Sequence, residues 1–134
     1  MLKLLLASQN PGKLREMQAI LQDLPIQIIS PAELGIQIHV EETGESYAEN
    51  AALKAKAYAQ ASGLPTLADD SGLEVDALNG APGLYSSRYA PIPNADDGAR
   101  RVFLLKNLAA HPRPWSARFC ATIATAQPDG ELHY

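Results

Sequence analysis

The chain has 134 residues, 46% of them apolar and 19% charged, with a formal net charge of −4. That length suits one folded domain burying roughly two thirds of its surface, and the composition excludes a disordered chain. The acidic balance argues against a general nucleic-acid binder, which carries a basic stripe. The apolar start, MLKLLLASQN, is too brief for a signal peptide or a membrane span. A lone Cys120 allows neither an intrachain disulfide nor a cysteine zinc site, which fits a reducing, cytoplasmic setting.

Leu2 to Ala7 reads as a buried strand running into Ser8-Gln9-Asn10-Pro11-Gly12-Lys13 and then a helix. Asn10 is a natural N-cap, and Pro11 suits the first helical position, where its missing N–H costs little. Leu14, Met17, Leu21 and Leu24 give that helix one apolar stripe. Free N–H groups and the positive helix end favour an anion, and Lys13 adds a full charge. The glycine spacing is not that of a Walker loop, so a capped helix with a solvated lysine is the competing reading. Ile26 to Ile29 reads as a second strand, and Gly35 to Val40 alternates as a third. Glu41, Glu42, Thr43, Gly44 and Glu45 follow, either a plain acidic loop or the source of a metal ligand.

Ser46-Tyr47-Ala48-Glu49 matches a capping box. The helix it opens runs to about Ser62, with Gly63 and Pro65 ending it. Ala48, Ala51, Ala55, Tyr58, Ala59 and Ser62 share a face of small side chains, while Asn50 and Lys54 sit one turn apart. Lys54 is then either solvated or a second cation for phosphate. Next comes LADDSGL, Leu67 to Leu73, an apolar run that ends in Asp69, Asp70, Ser71 and Gly72. Adjacent carboxylates repel and suit a divalent-metal or proton-accepting site at a strand's carboxyl end, where ligands of open α/β sheets collect. An exposed turn is the plainer alternative.

Asn79-Gly80 signals a turn, and Ala81 to Tyr89 reads as a glycine- and proline-bearing loop. Asn94 can cap a helix with Asp96 and Asp97 in its first turn and Ala99, Val102, Phe103 and Lys106 on its inner side. Ser116 to Ala126 alternates as a strand, with Phe119, Ala121 and Ile123 on one face, and Pro128-Asp129-Gly130 marks a hairpin. Only four residues follow it, fewer than a usual return strand. The expectation is therefore a single α/β domain over residues 1–134, incomplete at its C-terminal end.

Four motifs in order make the chain resemble the inosine/xanthosine triphosphate pyrophosphatase family, over nearly its whole length. They are Ser8-x-Asn10-x-x-Lys13, Glu41-Glu42-Thr43-Gly44 before a helix with Asn50 and Lys54, Ala68-Asp69-Asp70-Ser71-Gly72-Leu73, and Ala81-Pro82-Gly83-x-Tyr85-Ser86-x-Arg88-Tyr89. The resemblance implies an elongated mixed β-sheet flanked by helices, in two lobes with a substrate cleft between them, and a homodimer. It implies hydrolysis of a non-standard purine nucleoside triphosphate (ITP, dITP, XTP) to monophosphate and pyrophosphate with Mg²⁺, with no role for nucleic acid or membrane. Carried over, Ser8, Gln9, Asn10, Pro11, Gly12 and Lys13 would hold the triphosphate. Lys54 would neutralise phosphate charge, and Ser71 would contact the substrate. Glu41 and Asp70 would serve the metal, with Asp69 supporting the acids. Asp70 would act as general base or as metal ligand alone. The family's Phe-Gly-Tyr-Asp-Pro and Ser-His-Arg motifs do not occur in these residues. A catalytically silent protein that binds nucleotide phosphates on the same fold is the alternative expectation.

Overall fold

The computed structural model describes residues 1–134 as a mixed α/β structure. Strand β1 (Leu2–Leu6) leads through helix α1 (Pro11–Ile20) to β2 (Ile26–Ile29) and a 3₁₀ turn at Ala32–Leu34. Helix α2 (Tyr47–Ser62) then feeds β3 (Thr66–Val75). Short 3₁₀ turns at Asp76–Leu78 and Gly83–Arg88 precede α3 (Asp97–Leu108), β4 (Ala117–Ala126) and β5 (Leu132–His133). The sheet order is β2-β1-β3-β4-β5. β1 is parallel to both β2 and β3, as helical crossovers require, and β5 returns antiparallel on β4.

The second half of β1, Leu4 to Leu6, is apolar and buried because both of its faces are covered there. Leu5 and Ala7 join Ile29, Ala68, Ala124 and the α2 residues Ala51, Ala55, Tyr58 and Ala59 on one face. Leu4, Leu6 and Ile28 meet Leu14, Met17 and Leu21 from the α1 side on the other. The alanines of α2 let its backbone approach the sheet closely, so this interface relies on contact rather than on large side chains. Leu5 is fully buried within it, and its truncation to alanine costs about 2–5 kcal/mol.

The chain divides into two compact units, residues 1–70 with 122–134, and residues 71–121. In the second unit the Tyr89 and Phe103 rings meet edge-on at 5.0 Å, and Asn107 donates to the Tyr89 hydroxyl at 2.7 Å. Ser86 accepts from the Leu73 N–H and donates to the Gly83 carbonyl.

Four expectations are corrected. Gly35 to Val40 forms no strand. Its alternation places Ile36, Ile38 and Val40 against the α2-side core, so the pattern recorded burial without ladder hydrogen bonds. β3 does not end at the acids but continues through them to Val75. Asp96, not Asn94, caps α3 by accepting from the Ala99 N–H; Asn94 sits outside in a left-handed conformation. On α3, Val102 and Lys106 face solvent while Leu108 is buried. β4 alternates as expected, yet Phe119 and Ile123 lie on its exposed face and the smaller Ala124 and Ala126 on its buried one.

Candidate active site

The loop after β1 is shaped by its own side chains. Ser8 Oγ accepts from the Asn10 N–H at 3.1 Å, and Asn10 Oδ1 accepts from the Gly12 N–H at 2.8 Å, capping α1 with Pro11 at its first position. The first-turn N–H groups and the helix dipole give this end a positive character. Ser8, Gln9, Asn10 and Pro11 also line a groove of about 710 Å³ whose far wall is Ser30 to Ala32 and Gly35 to His39. Lys13, Lys54 and Asp70 do not line it. Lys13 turns instead to Asp69, donating to Oδ2 at 2.6 Å.

Asp69 and Asp70 are both nearly buried, and the strand resolves their repulsion. Successive residues of a strand point to opposite faces. Leu67 packs on the α1 side and Ala68 on the α2 side. Asp69 accordingly meets Lys13 of α1, and Asp70 meets Lys54 and Asn50 of α2. β1 pairs β3 only as far as Leu67. The acids therefore lie in the middle of β3 yet just past the carboxyl end of β1, where open α/β sheets gather ligands.

On the α2 side, Lys54 Nζ lies 2.9 Å from Glu42 Oε1 and 3.8 Å from Asp70 Oδ1. Ser46 caps α2 as expected, its Oγ accepting from the Glu49 N–H at 3.1 Å; the Glu49 carboxylate takes the N–H of Glu45, one residue before the cap. Burial raises Asp70 above the ordinary carboxylate pKa. Lys54 and the Asn50 amide oppose that shift, and Glu42 and Asp69 add to it. A carboxylate shifted by burial beside a charged partner is a candidate functional group.

Of the residues expected in the site, Lys13, Lys54, Asp69 and Asp70 are drawn into these two ion-paired groups. Ser71 is exposed on the next residue of β3. Glu41 is exposed and enters no ion pair, whereas its neighbour Glu42 reaches Lys54. Sequence reasoning also passed over Asn50 as a site residue. Its position four residues before Lys54, one turn along the same side of α2, was the available signal.

Two lysines held by carboxylates, one on α1 and one on α2, stand near the capped start of α1 in an open α/β fold. The chain belongs to the Ham1 family, whose model matches residues 4–134. It is 53% identical over 121 residues to a dITP/XTP pyrophosphatase of Xanthomonas campestris, covering 90% of this chain and 60% of that protein. A dITP/XTP pyrophosphatase of Desulforamulus reducens is 46% identical, at 98% and 66% coverage. The HAM1 protein of Coxiella burnetii superposes with a TM-score of 0.85 at 45% identity, covering 98% of this chain and 68% of that one. The Staphylococcus aureus Ham1 protein gives 0.81 at 41% identity, with 98% and 66% covered. The chain thus spans about three fifths of the Xanthomonas relative's length.

Proposed function

We propose that the protein hydrolyses non-standard purine nucleoside triphosphates (ITP, dITP, XTP) between the α and β phosphates, releasing monophosphate and pyrophosphate. The observation that carries this reading is the pair of consecutive acids, each holding a lysine from a different helix, at the carboxyl end of β1. The names of the relatives, dITP/XTP pyrophosphatases, supply the substrate class.

Lys13 and the amides of the capped α1 start bind phosphate oxygens; Ser8, Gln9, Asn10, Pro11 and Gly12 shape that cradle. Lys54 lies on the opposite side of β3 and offsets charge as it accumulates on the leaving pyrophosphate. Asp70, buried and readily protonated, takes the proton of the attacking water, a role worth about 10²–10⁴-fold. Ser71 contacts the substrate. The donor set suits magnesium, which keeps its waters and takes one or two carboxylates together with substrate phosphate; no cluster of three acids or histidines is present. Asp70 and Glu42 would hold it, Glu42 in preference to the exposed Glu41. When bound, the ion would lower the charge on the phosphates. A cytoplasmic homodimer completes the proposal; no helix is long and apolar enough to cross a membrane.

The test is pyrophosphate release from ITP, XTP and ATP with and without Mg²⁺. Metal-dependent release favouring ITP and XTP is expected. Binding of the triphosphate without turnover would replace the reading with a phosphate-binding protein.

A further inference from the structure

We propose that Asn50 is the positioning residue of this site, one buried amide that sets the rotation of the Asp70 carboxylate and straps the acidic loop to α2. The catalytic consequence rests on the function proposed above; the tie itself rests on geometry alone.

Asn50 is 0% exposed, in the first turns of α2. A primary amide is costly to bury unless both of its ends are paired. Asn50 Nδ2 donates to Asp70 Oδ2 at 3.2 Å, and Asn50 Oδ1 accepts from the Gly44 N–H at 2.7 Å. The two partners fix the amide's orientation, since a backbone N–H can only donate and a carboxylate accepts. The contact to Gly44 also explains the glycine. A Cβ there would stand 2.7 Å from Asn50 Oδ1 and 2.6 Å from Glu49 Cβ, so any larger residue would push the loop off the helix.

The outcome is a division of labour between the two oxygens of Asp70. Oδ2 is committed to a neutral amide, and Oδ1 faces Lys54. The same side chain anchors the loop two residues beyond Glu42, whose carboxylate shares Lys54. Loss of Asn50 frees Asp70 to rotate and Glu42 to drift, without removing a group that touches substrate. Misplacement by about 1 Å is enough to cost on the order of 10²-fold in rate.

The full chain serves for the test, with amide hydrogen exchange by NMR read beside steady-state kinetics. In the wild type the Asn50 side-chain protons and the Gly44 backbone proton exchange slowly. Asp70→Ala should free the Asn50 protons and leave Gly44 protected. Asn50→Ala should release Gly44 and lower kcat about 100-fold, with KM changed by less than about threefold. Asn50→Asp keeps the acceptor for Gly44 and loses the donor to Asp70. It should hold Gly44 protected and still lose turnover, which gives a reading if the alanine variant does not fold. Asn50 protons indifferent to Asp70→Ala would overturn the tie, and near-normal kcat in folded Asn50→Ala and Asn50→Asp would overturn the positioning role. If the wild type releases no pyrophosphate, the function fails, and the exchange data still decide the tie.

Discussion

The Ser8–Lys13 side and the Glu42–Asn50–Asp70 side of the site are built by opposite means. The first is mostly local: a strand end, an N-cap and two short side-chain-to-backbone bonds, within a few residues and largely exposed, with Lys13 alone reaching a distant partner, Asp69. The second is buried and draws on three segments, its Asn50–Asp70 bond joining residues twenty apart, both out of solvent. A local, hydrated anion cradle can be remade when a side chain is lost. A buried charged cluster cannot, because every unpaired member bears its full desolvation cost. Damage should therefore be small on the α1 side and large on the α2 side.

The sharpest break in that contrast is Asp70→Asn. Pyrophosphate release should fall by about 10²–10⁴-fold, with nucleotide binding largely kept. Stability should move the other way. Burial raises the Asp70 pKa in the folded state, so the fold binds the proton more tightly than the unfolded chain does. Ionised Asp70 thus costs stability above its folded pKa, and that cost disappears below the unfolded value. The variant should melt higher than the wild type at neutral pH, and the gap should close in acid. A melting series across pH decides it; equal melting at neutral pH would remove the burial argument.

A matched glycine pair comes next. Gly44→Ala drives a Cβ into Asn50 and Glu49, at 2.7 and 2.6 Å, and should cost about 1–3 kcal/mol. Gly12→Ala meets Asn10 Oδ1 at 3.1 Å and Arg15 Nη2 at 3.9 Å, both side-chain ends, and helix propensity favours the alanine by up to about 1 kcal/mol. It should be close to neutral. Denaturant midpoints of the two variants measure the difference directly, and equal losses would erase the contrast between the two sides.

The same difference governs what could be read from the sequence. Asn10 as cap, Pro11 behind it, the Leu14–Met17–Leu21 stripe and Ser46 as cap depend on neighbours in the chain, and all of them form. The buried side resisted such reading. Whether Glu41 or Glu42 reaches Lys54 depends on the twist of an irregular loop, which no periodicity encodes. Asn50 was legible only as a polar residue one turn before Lys54, because its partners Gly44 and Asp70 come from different segments. Two adjacent aspartates looked like a strand end; the pleat that separates them, and the shorter neighbouring strand β1 that leaves them at the sheet's carboxyl edge, are properties of the sheet.

Lys13→Ala should have a milder effect than Asp70→Asn. Lys13 is one third exposed and already paired to Asp69, and the α1 amides remain as phosphate donors. Triphosphate binding should weaken about tenfold, or about 1.4 kcal/mol, and monophosphate binding much less. Calorimetric titration with both ligands checks this; equal losses would place the lysine away from the phosphate tail.

The smallest effect lies at Glu33, in the 3₁₀ turn beside the groove wall. Its Oε2 accepts from the Ser30 N–H at 2.7 Å and from the Ser30 hydroxyl at 3.0 Å. The backbone contact, then the hydroxyl, holds its pKa below the ordinary value. Here the folded state binds the proton less tightly than the unfolded chain. The carboxylate supports the fold above its unfolded pKa, and that support fades as pH falls through the lowered folded value. Glu33→Gln should therefore melt slightly below the wild type at neutral pH and match it in acid. Run beside Asp70→Asn, the two variants should depart from the wild type in opposite directions at neutral pH and converge on it in acid. Departures of the same sign would mean that the exposed carboxylate and the buried one do not differ in the way their surroundings require.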